Sequence, residues 1–235
     1  MKILLSLFVV AFVASAYANT AIETETAQLG KQGEFAASQS YEYAHSRDGT
    51  SGGTLTQFEY AFSDRAEILI EPFFYVWDQP RGEARVSGRG DLEITPSYMA
   101  VVEDGWVPAL VLATKVKVPT GTRKAGGSGK YDLLPYVILG QHYDAWTFNA
   151  NLGVNFARRE DTRGYDHRVV WDLQAERDFG DSWTTFLEVF SAEDGVKTAS
   201  TALQYKWIEQ FNTFAAIAYN EDHEAVVRLG FNVEF

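Results

Sequence analysis

The sequence predicts an all-β protein, an antiparallel up-and-down transmembrane β-barrel of about twelve strands. Three observations point there. Long segments alternate apolar and polar residues with period two. The connections between them are short and long in turn, and tryptophans gather beside the short ones. Composition agrees, with 16 Phe, 12 Tyr, 6 Trp and 19 Gly in 235 residues.

A leader comes first. Met1-Lys2 gives a short basic start, an apolar run follows from Ile3 to Val13, and Ala16-Tyr17-Ala18 offers small residues to a signal peptidase. Residues 1–18 therefore read as a signal peptide cut after Ala18. The run is too short for a spanning helix of about 20 residues. Residues 19–32 read as a short periplasmic tail, and residues 33–235 as the barrel.

The barrel segments follow in order. The last is the clearest: Ala225, Val227, Leu229, Phe231, Val233 and Phe235 share one face, with Val226, Arg228, Gly230, Asn232 and Glu234 on the other. Segment 146–156 repeats the pattern. The spacing predicts strands near 33–44, 53–62, 65–77, 90–102, 106–118, 131–143, 145–157, 166–178, 182–191, 197–207, 211–220 and 224–235. Connections such as Ser63-Asp64-Arg65, Asp104-Gly105, Asp144 and Phe179-Gly180-Asp181 are short. Stretches 45–52, 78–89, 119–130 and 158–165 are longer and polar. Short turns on one rim and long loops on the other mark an up-and-down barrel.

Alternation does not tell a soluble barrel from a membrane one, so other features must. The strands exceed the usual five or six residues and match the roughly nine to eleven needed to cross a bilayer at a tilt. Trp106, Trp146, Trp183 and Trp207 sit beside short turns, as an interfacial aromatic girdle does. Phe235 ends an alternating strand, in the manner of the carboxy-terminal signal of outer-membrane barrels. The expected partners are outer-membrane lipid, the barrel-assembly machinery and a small-molecule solute.

Other classes are disfavoured. A formal charge of −12 leaves no basic surface for nucleic acid. The absence of Cys excludes disulfides, thiolate zinc and a Cys nucleophile. No metal, cofactor or catalytic set is expected. His142 has no Ser at an obvious partner position, and His45 with Asp48 or His167 with Asp166 would make a weak rim protease. Gly126-Gly127-Ser128-Gly129-Lys130 lacks the first Gly and the helix of a phosphate loop.

Several stretches resemble a family of bacterial outer-membrane transporters linked to meta-pathway phenol degradation. They are Tyr60-Ala61-Phe62-Ser63-Asp64-Arg65-Ala66-Glu67, Gly90-Asp91-Leu92-Glu93-Ile94, Pro108-Ala109-Leu110, Lys117-Val118-Pro119-Thr120-Gly121 and Asn149-Ala150-Asn151-Leu152-Gly153. The Val-Pro-Thr-Gly element is the most specific. The resemblance implies an outer-membrane barrel and transport of small, often hydrophobic compounds. The short loops and the tail 19–32 depart from the family pattern.

If apolar faces meet lipid, the lumen receives Glu59, Glu67, Glu71, Asp91, Glu93, Lys115, Lys117, Asp172, Glu176 and Arg228. Asn149, Asn151, Asn155, Arg168, Gln174, Glu188 and Asn232 share their parity. A turn centred on Asp104 sets Asp91 opposite Lys117 and Glu93 opposite Lys115. That ladder is either a charged constriction or structural packing. The same arithmetic sets Glu59 opposite Glu67, a pair that needs water, Arg228 or a cation nearby. Phe73, Tyr75, Trp77, Phe186, Phe190 and Phe214 also fall on the lumenal parity. They form either an aromatic slide for hydrophobic solutes or, for the first three, the result of a bulge near Pro72 that flips parity.

Overall fold

The computed structural model describes residues 24–125, 127–158, 164–193 and 195–235. The proposed signal peptide lies outside them. Fourteen strand segments form one closed antiparallel sheet. They are β1 (Phe35–His45), β2 (Gly49–Ser63), β3 (Ala66–Pro72), β4 (Tyr75–Pro80), β5 (Val86–Gly88), β6 (Leu92–Val101) and β7 (Ala109–Val118). Then come β8 (Asp132–Tyr143), β9 (Trp146–Arg158), β10 (Tyr165–Phe179), β11 (Trp183–Ser191), β12 (Lys197–Ile208), β13 (Phe211–Asn220) and β14 (Ala225–Glu234). β1 closes the barrel against β14, from Ala36 opposite Glu234 to His45 opposite Ala225.

Two full-height strands are each broken in two, so the barrel has twelve staves. β2 pairs with β3 over Phe58–Ser63 and with β4 over Gly49–Thr54. β3 and β4 are thus one stave interrupted at Phe73-Phe74. Pro72 contributes, because it has no N–H to give the ladder. β5 and β6 are likewise one stave, interrupted at Arg89-Gly90-Asp91. The two breaks lie side by side, and the Gly90 N–H crosses between them to the Phe73 carbonyl at 2.9 Å. The expected strand 65–77 is therefore real but interrupted, while the expected strand 90–102 is the continuous β6, with β5 added before it on the same stave. The expected strand 106–118 begins later, at Ala109, because residues 102–108 form a wider turn with a bridge between Asp104 and Val107.

The two faces have opposite chemistry. Leu152 is 56% exposed and Val169 61%, and Leu187, Leu203, Ile217 and Leu229 follow them around the outside. Gln174 is 3% exposed and Asn232 0%, with Asn149, Asp172 and Glu188 buried on the inside. An apolar outer wall around a polar interior is the pattern that a bilayer selects, since lipid gives no penalty for exposed Leu and gives buried polar groups no water.

The short-turn rim carries an aromatic belt. Trp106, Trp183 and Trp207 are exposed. Trp183 meets Tyr205 with ring centroids 4.6 Å apart, and Tyr205 meets Trp207 at 4.8 Å. Trp146 stacks on Phe148 at 6.0 Å. Phe235 lies beyond β14, exchanges backbone hydrogen bonds with Phe35 and sets its ring against Phe35 at 5.9 Å.

Candidate lumenal site

The first feature of the lumen comes from outside the strands. Residues 24–32 do not hang beside the barrel as the expected periplasmic tail would; they thread into it. The Gln32 N–H donates to Asp64 at the short-turn rim, and the Gly30 N–H donates to Glu67 Oε2 at 3.1 Å. The Ala27 N–H donates to Asn149 Oδ1 at 3.1 Å, and the Thr24 N–H reaches Glu188 on β11. Gln28 contacts His142. Side chains on the wall thus supply acceptors that an extended, unpaired segment needs. Gly140 makes room: a Cβ there would stand 2.5 Å from the Ala27 Cβ.

The tail also explains an apolar patch that faces inward. Val111, Ala113, Leu134, Tyr136, Ile138 and Val170 are buried on the lumenal face of β7, β8 and β10. Ala27 belongs to this cluster, and Leu29 packs against it. Covering the patch removes its apolar surface from the lumenal water.

The charged ladder is present in altered register. Glu93 lies directly opposite Lys117, two residues from the expected pairing. The turn centres on Gly105-Trp106, with a bulge between Met99 and Val101, rather than on Asp104. Lys115 still reaches Glu93 diagonally, at 3.5 Å. Lys117 pairs with Asp132 and Glu193, each at 3.4 Å. Burial works against the Glu193 charge, but Lys115 and Lys117 hold that loop carboxyl below the usual range.

The expected Asp91–Lys117 pair is absent. Asp91 sits in the break between β5 and β6, and its carboxylate turns toward loop 119–131. It accepts from the Gly121 N–H at 2.8 Å, the Ser128 N–H at 2.8 Å and the Ser128 hydroxyl at 2.7 Å. This gives the Val118-Pro119-Thr120-Gly121 element a physical reason. A Cβ on Gly121 would stand 2.7 Å from the Gly90 carbonyl carbon and 2.8 Å from the Asp91 carboxylate.

Glu59 and Glu67 are not opposite either. Glu59 faces Leu69, and Glu67 faces Ala61, because a bulge between Ala61 and Ser63 precedes the Asp64-Arg65 turn. The two glutamates are diagonal neighbours, and Glu71 follows Glu67 on the same face, directly opposite Glu93. The Arg228 guanidinium is bound by Glu42, at 2.7 and 3.0 Å. Asp172 is buried on the lumenal face. Glu176, on the same face, lies opposite Phe186.

The aromatic set divides. Phe186, Phe190 and Phe214 are buried inside, Phe186 against Ala202 and Ala216. Phe73 keeps the lumenal parity. Tyr75 and Trp77 do not: the break at Phe73-Phe74 flips them to the outer wall. Trp77 lies over Gly52, its indole N–H donates to the Tyr41 hydroxyl at 3.1 Å, and its ring meets Tyr43 at 6.1 Å. Arg85 covers its other face at 3.9 Å, which is why an outward tryptophan is only 4% exposed. With exposed Tyr43, Tyr131, Tyr165 and Tyr219, it marks a second aromatic belt at the long-loop rim.

His142 is held at the short-turn rim by Glu103. Its ring and its N–H both contact the Glu103 carboxylate in turn 102–108. Burial alone would raise the Glu103 pKa slightly, but the donors from His142 and Gln141 outweigh it and hold the carboxyl below its ordinary range. Among the described residues, no group of three or more His, Asp or Glu is arranged to hold a metal ion.

Glu42 and Asp132 fall on the lumenal parity of β1 and β8 and were missed although the alternation places them there; Glu193, and Glu25 of the tail, which also lines the lumen, carry no such signal. Glu25 and Glu193 lie outside the strands, and nothing in the alternation shows the tail threading inward.

A closed barrel with a lipid-facing apolar wall and a charged interior has the architecture of an outer-membrane β-barrel. The chain belongs to the family described as "Putative MetA-pathway of phenol degradation", whose profile matches residues 8–233. Among solved structures it is similar to the COG4313 outer membrane channel from Pseudomonas putida F1, at 10% identity and a TM-score of 0.71, covering 92% of this chain and 100% of that one. It is also similar to the KdgM porin in complex with disordered oligogalacturonate, at 16% identity and a TM-score of 0.61, covering 84% and 99%. The NanC porin matches at 12% identity and a TM-score of 0.62, covering 84% and 98%. These similar structures are channels and porins, not enzymes. No curated protein matches the chain.

Proposed function

We propose that the protein is a channel through which small molecules, aromatic compounds among them, cross the outer membrane. The observation that carries this reading is the lumen itself: a polar, charged interior holding a cavity of about 790 Å³ within a closed, lipid-facing wall. The family description supports aromatic solutes. The threaded tail narrows the path, and Glu93, Lys115 and Lys117 set its charge. Lumenal Asp172, Glu176, Phe73, Phe186 and Phe190 line it. The short-turn rim, where the tail enters and Phe235 ends, faces the periplasm. Residues 1–18 are removed on export, and the barrel-assembly machinery reads the Phe235 end. The chain performs no catalysis.

Liposome swelling with neutral, anionic and aromatic solutes tests the reading. Faster swelling than with empty liposomes supports it, and none for any solute contradicts it. The second reading, a non-transporting barrel that binds a partner, is favoured by one observation, the tail seated across the lumen. Flux through the intact protein separates the two, since a barrel closed by its tail passes solute only after residues 24–30 are deleted. Orientation is tested by labelling in intact cells. Glu83→Cys should react with an impermeant maleimide and Asp181→Cys should not; the reverse would invert the topology.

A further inference from the structure

We infer that the cavity near the long-loop rim binds a small organic ammonium solute carrying an apolar or aromatic group. The inference deepens the channel reading and rests on it for the path to the cavity, though binding itself needs no transport. The volume of about 790 Å³ is in the range of small-molecule sites.

Its charge is unbalanced. Glu25, Glu42, Glu71, Asp78, Glu93 and Glu193 line it, against Lys115, Lys124 and Arg228. Two of those cations are already held, Lys115 by Glu93 and Arg228 by Glu42. Glu71 is the focus. It is 6% exposed; its Oε1 accepts from Gln57 at 2.9 Å, and its Oε2 is buried with no hydrogen-bond partner among the described residues. Lys115 and Arg228 act on Glu71 by charge, but neither gives Oε2 a hydrogen bond; a carboxylate oxygen buried without a donor is costly, and a charged N–H donor from a solute satisfies it.

The chemistry of that donor follows from the surroundings. The described carboxylates are not grouped to hold a metal ion. An ammonium, with N–H bonds to give and a larger, softer charge, fits instead. Leu69, Phe73 and Val76 line the cavity beside Glu71. They offer an apolar wall for a hydrocarbon or aryl group, and the Phe73 ring can face the cation.

The test uses the full mature protein folded in detergent, with 2-phenylethylammonium chloride as the probe. A ligand that binds only the native state raises the unfolding midpoint. The expected result is a saturable rise at pH 7 that 2-phenylethanol, phenylacetate and equimolar potassium chloride do not produce. Glu71→Gln keeps the Gln57 contact and should weaken the apparent affinity about tenfold, the loss of a charge-assisted bond. Should that variant fail to fold, Lys124→Glu adds negative charge in an exposed loop and should tighten binding about threefold. An equal rise with the neutral alcohol would overturn the inference. So would undiminished binding by folded Glu71→Gln, or unchanged binding by Lys124→Glu. Binding without flux into liposomes would overturn the channel and leave the site. Flux without ammonium-dependent stabilisation would overturn the site and leave the channel.

Discussion

Asp91 and Gly121 show how one residue can be read correctly as polar and inward-facing and still be assigned the wrong partner. The carboxylate holds loop 119–131 through three bonds of 2.7–2.8 Å. Gly121→Ala would push a methyl group into that contact, and Asp91→Asn would lose charge from all three bonds. Each should loosen the loop by about 1–3 kcal/mol while leaving the barrel closed. Limited trypsin digestion reads this directly: cleavage after Arg123 or Lys124 should speed up, and unchanged cleavage in both variants would remove the pinning role. Glu103 makes a prediction of opposite kind. Its carboxyl is held below the ordinary value of 4.5, so its contribution is present above that value and is lost as pH falls through the lowered one. Turn 102–108 should therefore lose amide-exchange protection as pH falls below that value, and protection that is unchanged in acid would remove this role for Glu103. Parity was legible for Glu59, Glu67, Glu71, Glu93, Lys115 and Lys117, because period two assigns a face without knowing the neighbour. Pairing was not, because one extra residue in a turn slides the whole register.

The tail is the element that alternation missed. Residues 24–32 contain no period, and the residues they cover look like strand core from either side. In Ala109–Val118 and Asp132–Tyr143 both faces are largely apolar, so the pattern carried no sign that Val111 and Ile138 are covered from inside. A strand apolar on both faces in a lipid-facing barrel signals something seated against its inner side. Trp77 failed for a related reason. The period holds only while the strand is continuous, and the break after Pro72 reverses it. Chain closure yields a further prediction. Phe235 completes the ladder between β14 and β1 with backbone bonds of 3.1 and 2.7 Å to Phe35. Deleting it should slow assembly and leave a species that does not shift on heating in gel electrophoresis. Wild-type amounts of folded barrel would show that closure does not depend on it.

For the molecule as a whole, charge is concentrated where it acts. The outside is apolar at membrane depth, and the carboxylates of β2, β3 and β6 face one side of the lumen while the tail covers an apolar patch on the other. Ion flow should accordingly prefer cations. Neutralising Lys115 and Lys117 together as Gln should shift the reversal potential further toward cations. Charge reversal is a poorer test, because the Lys115 and Glu93 side chains are only 14% and 12% exposed and two opposed carboxylates there would be buried unpaired. The account's central claim is that this barrel conducts and that its own amino-terminal segment narrows the path. Single-channel recording in planar bilayers, comparing the mature protein with one lacking residues 24–30, tests it most directly. The account predicts small cation-preferring steps for the first and larger steps for the second. Silence from both, with each barrel still folded and heat-modifiable, would contradict it.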